Sequence, residues 1–333
     1  MDLDQASTSG FHGVFSCGMS RSGTTLLTTV LDSHPDISMG YELLHAGLPS
    51  TAQFIESVET AWAEAGDNGR KCGNLLKEWG FRSAGVLVKR CVRTRVDPPE
   101  LVAILRTMRD RGFEQLDGLE AQTQLAMSVA QAKMAKERTG WCGFKATASS
   151  VSMLDRLFPK SRFFLIIRDP RDVVASHRAA GFDRSVRQIA RSWNDYGRIF
   201  GHWLSAHPGS AALIRYEDLV TAPEPTLRGA FERTGLEFSP EVLRFFDSKA
   251  SVHRPGQHHV NAENLKKDFY VTSMGRWRRE LPDNEVRWIE RGCWTLMDRF
   301  GYPRRRTRRR GVLARLLARP ACRLPAFRGK SQA

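Results

Sequence analysis

Gly18-Met19-Ser20-Arg21-Ser22-Gly23-Thr24-Thr25 lies between an apolar run with strand character, Gly13 to Cys17, and a helical pattern set by Leu26, Leu27, Val30 and Leu31. A strand, a glycine turn and a helix in that order bring backbone N–H groups and a helix N-terminus to bear on an anion, most simply a phosphate. The two glycines have the spacing of a nucleotide-binding loop, but Thr24 stands where an NTPase carries its lysine. Arg21, inside the loop, supplies the positive charge instead.

A second segment pairs with the first: Arg162-Phe163-Phe164-Leu165-Ile166-Ile167-Arg168-Asp169-Pro170-Arg171-Asp172-Val173-Val174-Ala175-Ser176-His177. Phe163 to Ile167 is apolar on both faces, as in a strand buried within a parallel sheet. Arg168 follows at its C-terminal end, where open α/β sheets bind ligands. Asp169 is placed to cap a helix whose first turn contains Pro170. Ser176 then falls two turns along that helix, so a guanidinium and a hydroxyl converge on a second phosphate. Two phosphate sites on one sheet imply a nucleotide phosphorylated at both ends.

With these residues in place, the chain resembles the sulfotransferases that use 3′-phosphoadenosine 5′-phosphosulfate (PAPS). Arg21-Ser22-Gly23-Thr24-Thr25 looks like their 5′-phosphosulfate loop, and Arg168 with Ser176 looks like their 3′-phosphate site. Gly275-Arg276-Trp277-Arg278-Arg279-Glu280-Leu281 looks like the closing element of bacterial members. The resemblance covers roughly residues 11–50 and 140–303. It implies an α/β fold with a P-loop-like parallel sheet flanked by helices, and a largely helical insertion over residues 50–140 on the acceptor side.

The same resemblance implies roles for further residues. Lys145, in Gly143-Phe144-Lys145-Ala146-Thr147, matches a lysine that faces the leaving phosphosulfate, although the proline that often follows is absent here. Glu42 matches the catalytic glutamate of tyrosylprotein-type sulfotransferases, which also follows a His-Pro-Asp segment; this chain has Tyr41-Glu42 where that group has Glu-Glu. His45 is the alternative base, because an imidazole titrates near neutrality. Tyr216 matches a tyrosine near the adenine, and Arg276 and Trp277 match residues that cover the nucleotide. The family needs no bound metal for transfer, and PAPS serves as co-substrate. Adjacent His258 and His259 lack a third ligand at metal-site spacing.

Composition bounds the remaining choices. The 333 residues suffice for one α/β domain, expected over residues 11–303 after a flexible start at residues 1–10. The net charge of +15 is concentrated at the end: residues 304–333 hold ten Arg, one Lys and no acid, which leaves +4 for the rest. That tail reads either as a tether to an anionic membrane surface or as a solvated, disordered extension. Arginines clustered in a tail, without basic and aromatic residues across a folded face, give no nucleic-acid groove.

No apolar run spans a bilayer. The six cysteines lack metal-ligand spacing and read as reduced thiols of a cytoplasmic protein. The expected acceptor is a small molecule, carbohydrate or peptide. Trp193, Tyr196, Phe200 and Trp203 recur at helical spacing and read as a buried stripe. The alternative class is a metal-dependent P-loop kinase or NTPase, which would leave Arg168 and Ser176 without a role.

Overall fold

The computed structural model describes residues 13–247, 265 and 267–305. Its centre is a five-stranded, all-parallel sheet: β1 (Gly13–Gly18), β2 (Ile37–Gly40), β3 (Trp141–Ala146), β4 (Arg162–Ile167) and β5 (Ala211–Arg215). The strand order is β2-β3-β1-β4-β5. The chain therefore leaves central β1 for one edge, then crosses back over it into β4. The crevice beyond the C-terminal ends of β1 and β4 lies at this change of direction, where such sheets hold ligands.

Both faces of the sheet are covered, which is why β4 reads as a continuous apolar run. Phe163 and Leu165 join Phe15, Cys17, Phe144 and a core under the inserted helices. Phe164 and Ile166 join Val14, Leu27, Leu31, Ile214 and Phe231 on the other face. The insertion comprises α2 (Thr51–Ala65), α3 (Gly69–Glu78), α4 (Arg82–Arg93), α5 (Pro98–Asp110) and α6 (Leu119–Glu137). Between them, Gly73 and Gly85 bring α3 and α4 into backbone contact: a Cβ on Gly85 would sit 2.4 Å from the Gly73 carbonyl.

α1 (Thr24–Asp32) follows the glycine loop, and α7 (Val151–Leu157) precedes β4. α8 (Pro170–Ala179) begins as expected, with the Asp169 side chain accepting from the Arg171 N–H and Pro170 in the first turn. α9 (Val186–Ala206) buries Trp193, Phe200 and Trp203 while Tyr196 packs half-buried beside them, so the aromatic stripe is core. α10 (Tyr216–Thr221), α11 (Pro223–Thr234), the short α12 (Trp277–Glu280) and α13 (Asp283–Arg299) complete the covering layers.

One strand carries little signal in the sequence: Ile37–Gly40 forms edge strand β2, paired with β3. A buried ion network ties this strand down. Lys133 of α6, with no exposed side-chain surface, donates to Asp32 of α1 and to the Met39 carbonyl (3.1 Å), and lies 3.4 Å from Glu137. Asp32 in turn accepts the Met39 N–H (2.7 Å), and Glu137 accepts from Ser38 (2.6 Å).

Of the tail, Arg304 and Arg305 are described, and Arg305 pairs with Asp283 at 2.6 Å. The tether reading, residues 1–10, His258 and His259 lie outside the described residues. No helix among the described residues is long and apolar enough to cross a membrane.

Candidate active site

The glycine loop leaves β1 with Arg21 at φ 69° and Gly23 at φ 91°, both left-handed. Gly23 is required twice over: its φ favours glycine, and an added Cβ would stand 2.5 Å from the Tyr216 ring. Gly23→Ala is accordingly expected to weaken nucleotide binding at least tenfold, read by calorimetric titration. An unchanged affinity would show that the loop tolerates the displacement of Tyr216.

The two expected phosphate sites meet. Arg21 Nε donates to Ser176 Oγ (3.0 Å), and Arg168 Nη1 donates to the Arg21 carbonyl (3.1 Å). The second Arg168 amino group donates to the Ser273 carbonyl, and its guanidinium stacks 4.4 Å from the centre of the Tyr216 ring. Trp193 Nε1 donates to the Arg168 carbonyl (2.8 Å), so the buried α9 stripe also fixes the end of β4. His177 Nε2 lies 3.3 Å from the Ser20 carbonyl on the loop.

Burial, then the Arg168 and Arg276 charges, lower the Arg21 pKa from its ordinary value. Burial likewise lowers that of His177 and raises that of the Tyr216 phenol. Ser22 Oγ and Arg168 Nε are buried without a hydrogen-bond partner among the described residues. A guanidinium N–H left in this state on Arg168, which lines the cavity, suits an anionic ligand.

Across the cavity stands Glu42, two residues past β2 and itself left-handed at φ 55°. Lys145, from β3, donates to its Oε1 (2.9 Å). Arg90 of α4 donates both to Oε2 (3.2 Å) and to the Glu42 carbonyl (2.8 Å), clamping main chain and side chain together. Non-glycine residues rarely hold such backbone conformations without surrounding support. Arg21 and Glu42 are two of five among the described residues.

One cavity of about 540 Å³ gathers these groups: Arg21, Gly23, Thr24, Thr25, Glu42, Lys145, Arg168, Ser176, Tyr216 and Arg276 all line it. Its lining carries eight cationic side chains and one carboxylate, a balance that suits a polyanionic ligand. Ser22 is buried and is not part of the lining. Arg276 lines the wall while pairing with Glu280 at 2.8 Å.

Trp277 is placed differently from the sequence expectation. It is buried outside the cavity lining, with the Arg171 (4.1 Å) and Arg278 (4.6 Å) guanidiniums against its ring, and its backbone N–H donates to Asp172. Its neighbour Arg171 is committed to Asp169 and Glu290, both at 2.6 Å, so this cluster braces α8 against α12 and α13. The ring therefore supports the wall that carries Arg276. His45 lies outside the cavity lining; burial and the Arg90 charge lower its pKa, opposed by Glu42.

The clamp by Arg90 and the contacts of Trp193 and Ser273 with Arg168 are not legible in the sequence. Arg90 sits in a helix where basic residues are common, and Ser273 contributes a carbonyl, which no residue type announces.

A parallel α/β sheet with a glycine loop after its central strand, Arg168 after β4 and a carboxylate opposite forms a cationic crevice at the place where such sheets hold ligands. The model of the sulfotransferase family matches residues 13–240, and the chain belongs to that family. It is 25% identical over 282 residues to protein-tyrosine sulfotransferase 2 of Gallus gallus, covering 81% of this chain and 64% of that protein. An uncharacterized protein of Aquifex aeolicus is 24% identical over 276 residues, covering 80% of this chain; the chain spans only 30% of that relative. The sulfotransferase domain from the curacin biosynthetic pathway shares the fold, with a TM-score of 0.57 at 16% identity, over 87% of this chain and 97% of that one. The comparisons lend no support to a kinase or NTPase.

Proposed function

We propose that this protein transfers a sulfuryl group from PAPS to a hydroxyl or amine of a small-molecule, carbohydrate or peptide acceptor, releasing 3′-phosphoadenosine 5′-phosphate. The observation that carries the reading is the convergence of Arg21, Ser176 and Arg168 with Glu42 and Lys145 on one cavity. When bound, the nucleotide supplies an activated sulfuryl group on its 5′-phosphate. Arg21, Ser22, Thr24, Thr25 and the loop N–H groups hold that end. Arg168 and Ser176 hold the 3′-phosphate, Arg276 adds charge beside it, and Tyr216 flanks the base.

Glu42 accepts the proton of the acceptor hydroxyl as the new oxygen–sulfur bond forms and the bond to the 5′-phosphate oxygen breaks. Lys145 and Arg21 neutralise the charge left on the departing phosphate. Positioning and preorganised charge carry the catalysis, as in phosphoryl transfer, and no metal is assigned a role. A cytoplasmic setting fits the unpaired, buried thiols of Cys17, Cys72, Cys91, Cys142 and Cys293.

The test is sulfate-labelled PAPS with a panel of phenolic, sugar and tyrosine-peptide acceptors, in EDTA. Labelled product is expected from at least one class. Phosphoryl transfer from ATP with Mg²⁺, and none from PAPS, would overturn the reading.

A further inference from the structure

Under that reading the donor engages Arg21, Lys145, Arg168 and Arg276, and yet the α3–α4 wall adds Lys77, Lys89, Arg90 and Arg93 to the same cavity. Arg90 is committed to Glu42. Lys77 and Lys89 are not matched this way. Neither has a carboxylate partner among the described residues; Lys89 Nζ donates to Asn74 Oδ1 and meets the Lys77 ammonium.

The contact is built into the helix pair. Gly73 lacks the Cβ that would stand 2.7 Å from Lys89 Cγ, and Gly85 lacks the one that would stand 2.8 Å from Lys77 Cγ. The two glycines thus lay each lysine stem across the opposite helix and hold two like charges together at the cavity. Burial, then the Lys77 charge, lower the Lys89 pKa, with Arg70 adding to the same effect. Two adjacent cations without a counter-charge favour a ligand that brings two negative charges.

We propose that the acceptor carries a phosphate monoester, held by Lys77 and Lys89 while its hydroxyl reaches Glu42; the assignment rests on the sulfuryl-transfer reading. A phosphate monoester carries about −1.5 to −2 charge at pH 7 and three acceptor oxygens. A carboxylate or a sulfate ester carries a single charge, and lysine binds phosphate as a point charge without needing a planar fork.

The test uses the full chain saturated with 3′-phosphoadenosine 5′-phosphate, which occupies the glycine loop, titrated with phenyl phosphate, phenyl sulfate, phenylacetate and phenylacetamide. Phenyl phosphate is expected to bind at least tenfold tighter than the other three. Lys77→Gln with Lys89→Gln should abolish that advantage and leave nucleotide affinity unchanged, with circular dichroism unaltered. Equal binding of all four probes, or an advantage that survives the double substitution, overturns the proposal. So does a tenfold loss of nucleotide affinity in the double variant, which would assign the lysines to the donor. Tighter phenyl sulfate or phenylacetate would replace the phosphate with a singly charged group. If the wild-type chain fails to bind the nucleotide, the donor assignment falls instead, and the phosphate subsite is then read from the wild-type-minus-variant difference on unloaded protein.

Discussion

Glu42→Gln is expected to lower the rate of sulfuryl transfer by about 10²- to 10⁴-fold, the range for loss of a positioned general base. The amide keeps the shape of the carboxylate and a hydrogen-bond acceptor for Lys145 or Arg90, but it cannot take the acceptor proton. Affinity for 3′-phosphoadenosine 5′-phosphate should change by no more than a few-fold, because of the groups proposed to hold the nucleotide only Lys145 bonds Glu42. The comparison variant is His45→Ala, which removes a ring outside the cavity lining and should leave turnover within a few-fold of wild type. Full turnover by Glu42→Gln together with loss in His45→Ala would move the base to the imidazole. The expectation depends on support as well as chemistry: Arg90 bonds both the carboxylate and the carbonyl of Glu42, and so holds a left-handed residue in place.

Lys133→Met should destabilise the fold by about 3–5 kcal/mol, the cost of removing one partner from a buried ion pair. Methionine fills much of the volume, but it removes the ammonium that Asp32, fully buried, faces and weakens the set around Glu137. Asp32 keeps the Met39 N–H, and Glu137 keeps Ser38 and Arg95 (3.2 Å), so the loss should not exceed that range. Against a total stability of about 5–15 kcal/mol, a loss of this size is easily read from urea unfolding. A cost below about 1 kcal/mol would mean that the network is solvated or readily rearranged. Because Glu42 follows β2 directly, the same variant should lose activity at temperatures where it is still folded.

The parts of the fold visible in the sequence are those whose local chemistry and long-range pairing agree. β1 and β4 are short, doubly apolar and followed by a glycine loop or an Asp-Pro cap, so their residues announce both the element and its ligand end. β2 is four residues, Ile37-Ser38-Met39-Gly40, with only two large apolar side chains. Its strand character comes from β3 and from Lys133, ninety-four positions away from the Met39 carbonyl that it bonds. A lysine within a helical pattern reads as solvated; nothing local reveals that Asp32 and Glu137 wait for it in the core.

At the site, the convergence of Arg21, Ser176, Arg168, Glu42 and Lys145 on one cavity was legible in motif and spacing; the roles assigned to them are those proposed above. Trp277 was not, since an aromatic between arginines reads equally as a nucleotide cover or a brace, and only packing against Arg171 separates them. Arg90, Lys77 and Lys89 lay hidden in the insertion. Their meaning depends on how closely α3 and α4 approach at Gly73 and Gly85.

The most direct test of the central claim is calorimetric titration of the protein with 3′-phosphoadenosine 5′-phosphate in EDTA, beside ADP and ATP with and without Mg²⁺. Tight, metal-independent binding of the bisphosphate is expected. Arg21→Ala and Arg168→Ala should each weaken it by roughly ten- to a hundredfold, in line with about 1.5–3 kcal/mol for hydrogen bonds to charged groups. Binding of ATP alone, dependent on Mg²⁺ and indifferent to Arg168→Ala, would contradict the claim.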